Sequence, residues 1–239
     1  MPPLPPDILD HDLHCHLLPA VDDGSRTPSE SLAMARGLAA LGVKRLHVTP
    51  HQFRFGLRWE AEELQRSVQA TAETLAREGV TLTLVPGAEH AFGEDLLAAL
   101  QSGQGCLPMA LPGEPGRQGL LVELPLRDPA VGVETVARLV TARGWTPVLA
   151  HPERVTSVID QPERVEGWQA AGWELQLDLL ALSGTYGPAV ERTALTLLAR
   201  DDYRWVGSDL HRVGQLSDLA QAHERLRRHL AQTHAEPRR

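Results

Sequence analysis

Seven strand-length apolar runs alternate with amphipathic helical segments along the 239-residue chain, and this alternation limits the fold more than any other feature. The spacing predicts strands over residues 8–14, 44–49, 80–85, 119–124, 145–150, 173–179 and 203–207. Helices are expected over 29–40, 59–77, 93–100, 129–142, 162–171, 188–200 and 216–232. Thr27 is placed to cap the first helix, Pro28 sits at its first position, and Glu30 completes a capping box. Gly42 and Gly79 end two of the helices. Residues 101–118 are rich in Gly and Pro and read as a long loop. Strands separated by helices pair in parallel, so a closed or nearly closed parallel α/β barrel is expected. A doubly wound open sheet would carry a Gly-rich turn after the first strand, and this chain has none.

Metal-ligating residue types recur at the ends of these strands. The first strand runs into Asp12-Leu13-His14-Cys15-His16, and Asp22-Asp23-Gly24 follows. Residues i and i+2 of an extended chain point to one side, so His14 and His16 can aim at one point. The second strand ends at His51, the third at Glu89, and the fourth carries Glu123. The fifth ends in His151-Pro152-Glu153-Arg154 and the seventh in Ser208-Asp209-Leu210-His211. In a parallel barrel these ends converge on one face. Any single one of these residues is unremarkable at a loop start. Together they would repel or desolvate one another unless a cation were present.

Composition narrows the classes. A formal net charge of -8 argues against nucleic acid or an anionic membrane as partner. No apolar run approaches the roughly 20 residues of a membrane span, so no membrane insertion is expected. Residues 1–7 are Pro-rich without a basic region or apolar helix, and read as an extended tail rather than a signal peptide. Cys15 and Cys106 are the only cysteines, which suits a reducing, cytoplasmic location. Without a Cys-x5-Arg loop, a cysteine-based phosphatase mechanism does not apply.

Charge arithmetic favours a multinuclear centre. Five neutral histidines and the four carboxylates of Asp23, Glu89, Glu123 and Asp209 carry four negative charges. Three divalent ions would leave about +2, and two about zero. A positive centre suits a phosphate dianion, and zinc-type sites turn bound water into a hydroxide nucleophile with a pKa of ~7.

The stretches DLHCHLLPAVDDGS (12–25), VTPH (48–51), GAE (87–89), VELP (122–125), LAHPERV (149–155), LQLDLLALSGTYG (175–187) and GSDLH (207–211) span nearly the whole chain. In this combination the chain resembles the PHP (polymerase and histidinol phosphatase) family, and within it the bacterial capsule-biosynthesis branch of metal-dependent protein-tyrosine phosphatases. The resemblance implies a single-domain, distorted seven-stranded β/α (TIM-like) barrel over residues 8–233, followed by a tail at 234–239. It implies three divalent metal ions, manganese first and zinc or iron as alternatives. One ion would be held by His14, His16, Glu89 and Asp209. A second would take Glu89 as a bridge, Glu123 and His151, and a third Asp23, His51 and His211. Asp22 is the alternative to Asp23, the spacing from His16 favouring Asp23. Arg154 would bind the substrate phosphate, and Arg154, Asp209 and His211 would carry catalysis. Arg54 and Arg212 are further substrate-binding candidates, although Arg54 and Arg58 also read as ordinary loop charges.

The implied substrate is a phosphotyrosine-containing protein in capsule or exopolysaccharide regulation, such as a polysaccharide-synthesis tyrosine kinase, hydrolysed by metal-bound hydroxide. A small-molecule phosphatase of the histidinol-phosphatase type and a phosphotyrosine-binding pseudo-enzyme are the alternatives. An amidohydrolase would typically bridge its metals with a lysine on strand four, whereas Lys44, the only lysine, begins strand two. The chain departs from many relatives at Gln52, His90 and Arg212, which bears on substrate preference. His47 and His11 read as structural, His90 as more often structural than functional, and His223, His229 and His234 as solvated. Cys15 should point away from its two histidine neighbours into packing.

Overall fold

The first strand is shorter than the apolar run that predicts it. Residues Ile8–Asp10 form a 3-10 turn, closed by the Asp10 amide donating to Asp7 O at 2.9 Å, and β1 is His11–Cys15. The computed structural model describes residues 3–113, 115–127 and 131–235. The predicted helix start at residue 129 and the tail residues 236–239 lie outside the described residues. Leu4 is buried, and its carbonyl accepts from His234 Nε2 at 3.0 Å, so the two ends of the described chain touch.

Helix α1 (Pro28–Ala40) begins as its sequence demands, with the Thr27 hydroxyl accepting from the Glu30 amide. The Glu30 carboxylate reaches back one residue further than a capping box requires, to the Arg26 amide at 2.9 Å. Proline then divides two of the predicted strands' continuations. After β2 (Arg45–Val48) and Pro50 comes a two-residue β3 (His51–Gln52). Helix α2 (Ala61–Arg77) leads to β4 (Thr83–Pro86), and β5 (Glu89–Ala91) follows after Gly87. Helix α3 is Glu94–Ser102. The expected loop over 101–118 contains a short strand, β6 (Met109–Ala110), antiparallel to β7 (Gln118–Glu123).

The remaining elements are α4 (Val133–Ala142), β8 (Thr146–Ala150), α5 (Thr156–Asp160), α6 (Arg164–Ala170), β9 (Glu174–Asp178), α7 (Pro188–Ala199), β10 (Tyr203–Gly207) and α8 (Leu216–Ala235). Helix α5 has no counterpart in the sequence reading.

Parallel strands form two sheets. One has the order β1-β2-β4, the other β10-β9-β8-β7-β5-β3 with β6 beside β7. The continuous ladders do not run round a single closed barrel. The first sheet ends with Thr49 N donating to Cys15 O at 3.0 Å and Gly87 N to Val48 O at 3.1 Å, and the second begins with Glu89 N donating to Pro50 O at 3.1 Å, so the chain passes from one sheet to the other at Pro50 and at Gly87. At the other margin Asp209 N donates to His14 O at 2.8 Å and His16 N to Leu210 O at 3.1 Å, so the first strand also meets the end of the last.

Two apolar clusters stabilise this arrangement. The larger packs helices against the outer strand faces. The smaller consists of Leu13, Met109, Leu111, Leu121, Val148, Ala150 and Trp205, from strands of both sheets and the loop after β6. Trp205 satisfies its indole N–H on Glu174 Oε2 at 2.7 Å. His47 is buried as expected, between the carbonyls of Asp12 and Ala110. His223 departs from expectation. It is buried on the inward face of α8 rather than solvated, and burial lowers its pKa to about 4.

Leu121 is fully buried in the smaller cluster. Leu121→Ala should lower the unfolding free energy by about 2–5 kcal/mol, through lost transfer energy and an unfilled cavity. Urea denaturation followed by circular dichroism checks this.

Candidate metal centre

One buried carboxylate fixes the first strand against the last. Asp12 Oδ1 accepts from the amides of His14 at 3.1 Å and Ser208 at 2.8 Å, and Ser208 Oγ returns a hydrogen bond to His14 O. Burial raises the Asp12 pKa to about 6, against the pull of the Ser208 contacts. Gly207 is required here because a Cβ would lie 2.5 Å from His14 Cβ. Gly24 is required in the same way, since a Cβ would stand 2.3 Å from His16 O.

With the backbone so held, His14 and His16 bring their Nε2 atoms to 3.1 Å from each other. Glu89 Oε2 lies 3.4 Å from both, and Asp209 Oδ1 lies 3.2 and 3.3 Å away. His51 and Glu89 are register partners between β3 and β5, which puts His51 Nδ1 at 2.9 Å from Glu89 Oε2. Glu123 Oε1 is 3.5 Å from the same nitrogen. His151 Nε2 approaches Glu89 Oε1 at 2.9 Å. Asp23 Oδ1 lies 3.1 Å from His51 Nε2 and 3.3 Å from His211 Nε2. All nine residues expected from the sequence therefore gather in one volume.

Among the described residues, three overlapping groups have the compactness to hold a cation: His16, Asp23, His51 and His211; His14, His16 and Glu89; and His51, Glu89 and Glu123, each with its ligand atoms within 4.8 Å of one another. Asp22 faces outward from these groups. Its carboxylate accepts from His16 Nδ1 at 2.8 Å and from the amides of Gly24 and His51. It orients His16, while Asp23 supplies the carboxylate inside the cluster.

The donor set fits divalent cations. The His51 ring nitrogens, His151 Nδ1 and Asp209 Oδ1 are buried yet make no hydrogen bond. His14 Nδ1 donates to Gln176 Oε1 at 3.0 Å, which leaves the Nε2 lone pair aimed inward, the orientation a ligating imidazole needs. Electrostatics agree. Burial lowers the basicity of His14, but the Glu89 and Asp209 charges outweigh it and hold the pKa at about 9. Burial likewise lowers the basicity of His51, but the contacts with Asp23 and Glu89 outweigh it and raise the pKa to about 9. Glu123 is raised to about 7 by burial and by the Glu89 charge. Burial works against ionised Glu89 and Asp209 too, yet the His14 charge and the neighbouring histidine contacts hold both carboxyls well below the usual range. The same volume that attracts protons to these imidazoles would attract metal ions.

The backbone is strained at two of these residues. His151 has φ 33° and Asp209 φ 48°, values that L side chains rarely adopt. Both follow the last residue of a strand closely, and the left-handed turn re-aims each side chain over the strand ends.

Arg154 stands at the rim, its side chain about a fifth exposed at 21%. Its Nη1 lies 2.5 Å from Asp209 Oδ2 and 3.4 Å from Asp178 Oδ2, and its guanidinium covers the Tyr186 ring at 4.3 Å. The other arginine candidates differ. Arg54 Nη1 lies 2.7 Å from both Glu123 oxygens. Arg212 turns inward, donating to the carbonyls of Gly24 and His211. Gln52 is buried and clamps a loop, exchanging hydrogen bonds with Trp59 and donating to Gly105 O at 2.8 Å. His90 is structural. It donates from Nδ1 to Leu121 O and accepts the Leu107 amide at Nε2. Cys15 is buried, with its thiol near Leu210 O and its pKa pushed up by burial, and is inert as a nucleophile.

Sequence reasoning missed the polar scaffold beneath the centre. Gln176, Asp178 and Glu153 are buried completely. Glu153 accepts from the Asp178 amide at 2.7 Å and from the Tyr203 hydroxyl at 2.9 Å. Asp178 is pushed well above the usual carboxylate range by burial and the Asp209 charge. The signal was present. Gln176 and Asp178 alternate with Leu175 and Leu177 along β9, and in a parallel sheet covered on both faces such polar side chains are buried and need partners.

The sequence model of the family described as capsular polysaccharide synthesis, CpsB/CapC, matches residues 10–237. The chain belongs to that family. It is 27% identical over 202 residues to the tyrosine-protein phosphatase YwqE of Bacillus subtilis, covering 84% of this chain and 77% of YwqE. It is 24% identical over 205 residues to the tyrosine-protein phosphatase CpsB of Streptococcus pneumoniae, covering 84% of this chain and 82% of that one. A solved structure from work on YwqE and the pneumococcal CpsB, described as unique metal-dependent tyrosine phosphatases, superposes with a TM-score of 0.80 at 25% identity. That match covers 89% of this chain and 84% of the other. Among the described residues, no helix is long and apolar enough to cross a membrane.

The CpsB/CapC centre should exchange protons for cations. For protein stripped of metal, His14 and His51 at about 9 exceed the unfolded value of 6.5, so their stabilisation is complete below pH 6.5 and is lost as pH rises through 9. Loading with Mn²⁺ at pH 7.5 should therefore release protons, and affinity should rise with pH. Calorimetry in two buffers of different ionisation enthalpy measures the release.

Proposed function

We propose that this chain is a metal-dependent protein-tyrosine phosphatase of capsule or exopolysaccharide synthesis, acting on a phosphotyrosine-bearing protein. A polysaccharide-synthesis tyrosine kinase is the proposed substrate. The observation that carries the reading is the overlap of three His/carboxylate groups through His16, His51 and Glu89, with Arg154 at their rim. We assign one cation to His14, His16, Glu89 and Asp209. A second falls to Glu89, Glu123 and His151, and a third to Asp23, His51 and His211. The likeness to the metal-dependent phosphatases supports a distorted seven-stranded barrel as the frame, in which the two sheets are one wall broken at Pro50 and at Pro86-Gly87.

Divalent cations bound there supply Lewis-acid charge and an activated water for attack on phosphorus. The chain's own residues do the rest. Arg154 has five N–H donors, more than its two carboxylate neighbours take up, and offers the remainder to phosphate oxygens. Asp209 and Asp178 hold that guanidinium in place, and Tyr186 backs its flat face. Asp209 thereby links the phosphate-binding arginine to the cation cluster. His211 donates from Nδ1 to Asp209 O at 2.8 Å and faces Asp23 with Nε2, at the more exposed end of the centre. An aryl leaving group suits this arrangement, because a phenol with a pKa of about 10 departs with little proton assistance. Two free cysteines accord with a cytoplasmic location for such an enzyme.

The purified protein should hydrolyse a phosphotyrosyl peptide in the presence of Mn²⁺ and lose that activity on chelation. His14→Ala and Asp209→Asn should lower kcat/KM by about 10²-fold or more, the scale set by losing a transition-state donor or ligand. Arg154→Ala should raise KM as well as lower kcat. Full turnover by the stripped protein would overturn the reading. A faster rate on histidinol phosphate than on the peptide would redirect it to small-molecule substrates.

A further inference from the structure

Phe55 stands out among the large apolar side chains. It is 68% exposed, beside a centre whose histidines are mostly buried. Its ring lies edge-on to His51, with centroids 5.8 Å apart. The Arg54 guanidinium, held by Glu123, sits 4.8 Å from the Phe55 ring centre and covers one face. The rest of the ring is open to solvent.

The loop that presents this ring is built and strained. Phe53 and Phe55 have φ 67° and 54°, in the left-handed region that favours glycine, and Gly56 follows at 75°. The turn is closed by Phe53 N donating to Leu57 O and by Leu57 N donating to Arg54 O, both at 2.9 Å. Gln52 clamps its base to Trp59 and Gly105. Phe53 turns inward, 5.9 Å from His90, and anchors the loop. Two aromatic residues in an unfavourable backbone region, one as anchor and the other in water, is a costly arrangement that nothing in the core requires.

We propose that Phe55, backed by Arg54, is the ring-binding subsite that fits this centre to an aryl phosphate. The inference rests on the phosphatase reading above and names its specificity residue. In phosphotyrosine the ester oxygen is bonded directly to the ring. A phosphoryl group seated at the end of the centre lined by His51 and Glu123 carries its ring outward, where the exposed aromatic group beside His51 is Phe55, whereas the Tyr186 ring is covered by the Arg154 guanidinium. The open part of the ring receives the substrate ring in an offset or edge-to-face contact. Arg54, tied to Glu123, lies over one face of Phe55, and its charge polarises the stack. An alkyl phosphate gains nothing from this contact.

The test compares Phe55→Ala, Phe55→Leu and Phe55→Trp in the Mn²⁺-loaded full chain. Two constants are read: KM for a phosphotyrosyl peptide, and the inhibition constant of inorganic phosphate, which reports the phosphoryl pocket alone. In Phe55→Ala and Phe55→Leu the ratio of KM to that constant should rise about twofold to tenfold, the size of one aromatic contact. Phe55→Trp should return it towards the wild-type value. An unchanged ratio in Phe55→Ala, or a Phe55→Leu that behaves as wild type, would overturn the proposal, because bulk rather than a ring would then suffice. Equal weakening of peptide and phosphate would overturn it too, by making Phe55 a support of the pocket. If the wild-type protein turned over no phosphotyrosyl peptide, the phosphatase reading itself would have failed, which this design separates from failure of the subsite.

Discussion

Glu89 is a buried carboxylate with four imidazoles about it, and the rest of the molecule is arranged to keep that grouping possible. One of its oxygens meets His14, His16 and His51, and the other meets His151. These residues come from β1, β3, β5 and the end of β8, so no local segment could bring them together. Burying such a group without partners would cost several kcal/mol per ion. The strands must therefore converge, and the two proline breaks let them. After Pro50 and after Pro86-Gly87 the chain resumes as β3 and β5, displaced from the sheet of β1, β2 and β4 and in register with each other at His51 and Glu89.

A shell of buried polar groups keeps that convergence rigid. Asp12 ties β1 to Ser208, Gln176 orients His14, Asp22 orients His16, and Glu153 braces Asp178 against Tyr203. Each supporting group makes directional hydrogen bonds to backbone or to a neighbouring polar side chain, which fix side-chain orientation. The left-handed backbone at His151 and Asp209 is held against its own preference by this shell. Stability is in this sense given up at the centre and recovered in the two apolar clusters around it.

Three arginines near the centre are held in different ways. Arg154 is fixed by Asp209 and Asp178 yet retains donors at the rim. Arg54 is engaged with Glu123 and lies against Phe55, and Arg212 is turned into the backbone of the first loop. The HPER stretch set Arg154 apart in the sequence, whereas Arg54 and Arg212 were further candidates on their position near site residues. Their contacts separate them, because an arginine's role depends on how many of its donors the protein has already used.

The sequence by itself determined the class of fold and the chemistry of the centre. Period-two apolar runs alternating with helical periodicity specify parallel strands with crossover helices, and nine His, Asp and Glu residues at strand ends are costly to assemble without cations. Both inferences depend on local pattern, which a sequence carries in full. What lay beyond it depended on contacts between distant residues. The short strands β3, β5 and β6 exist because of pairing partners, not propensity. The choice of Asp23 over Asp22 inside the cluster rests on which carboxylate the His16 and His51 positions leave free. His90 and Gln52, adjacent in sequence to site residues, were assigned to structure by carbonyls and amides from elsewhere in the fold. Only the tertiary structure could decide these points, because hydrogen-bond satisfaction belongs to the folded neighbourhood and not to the residue.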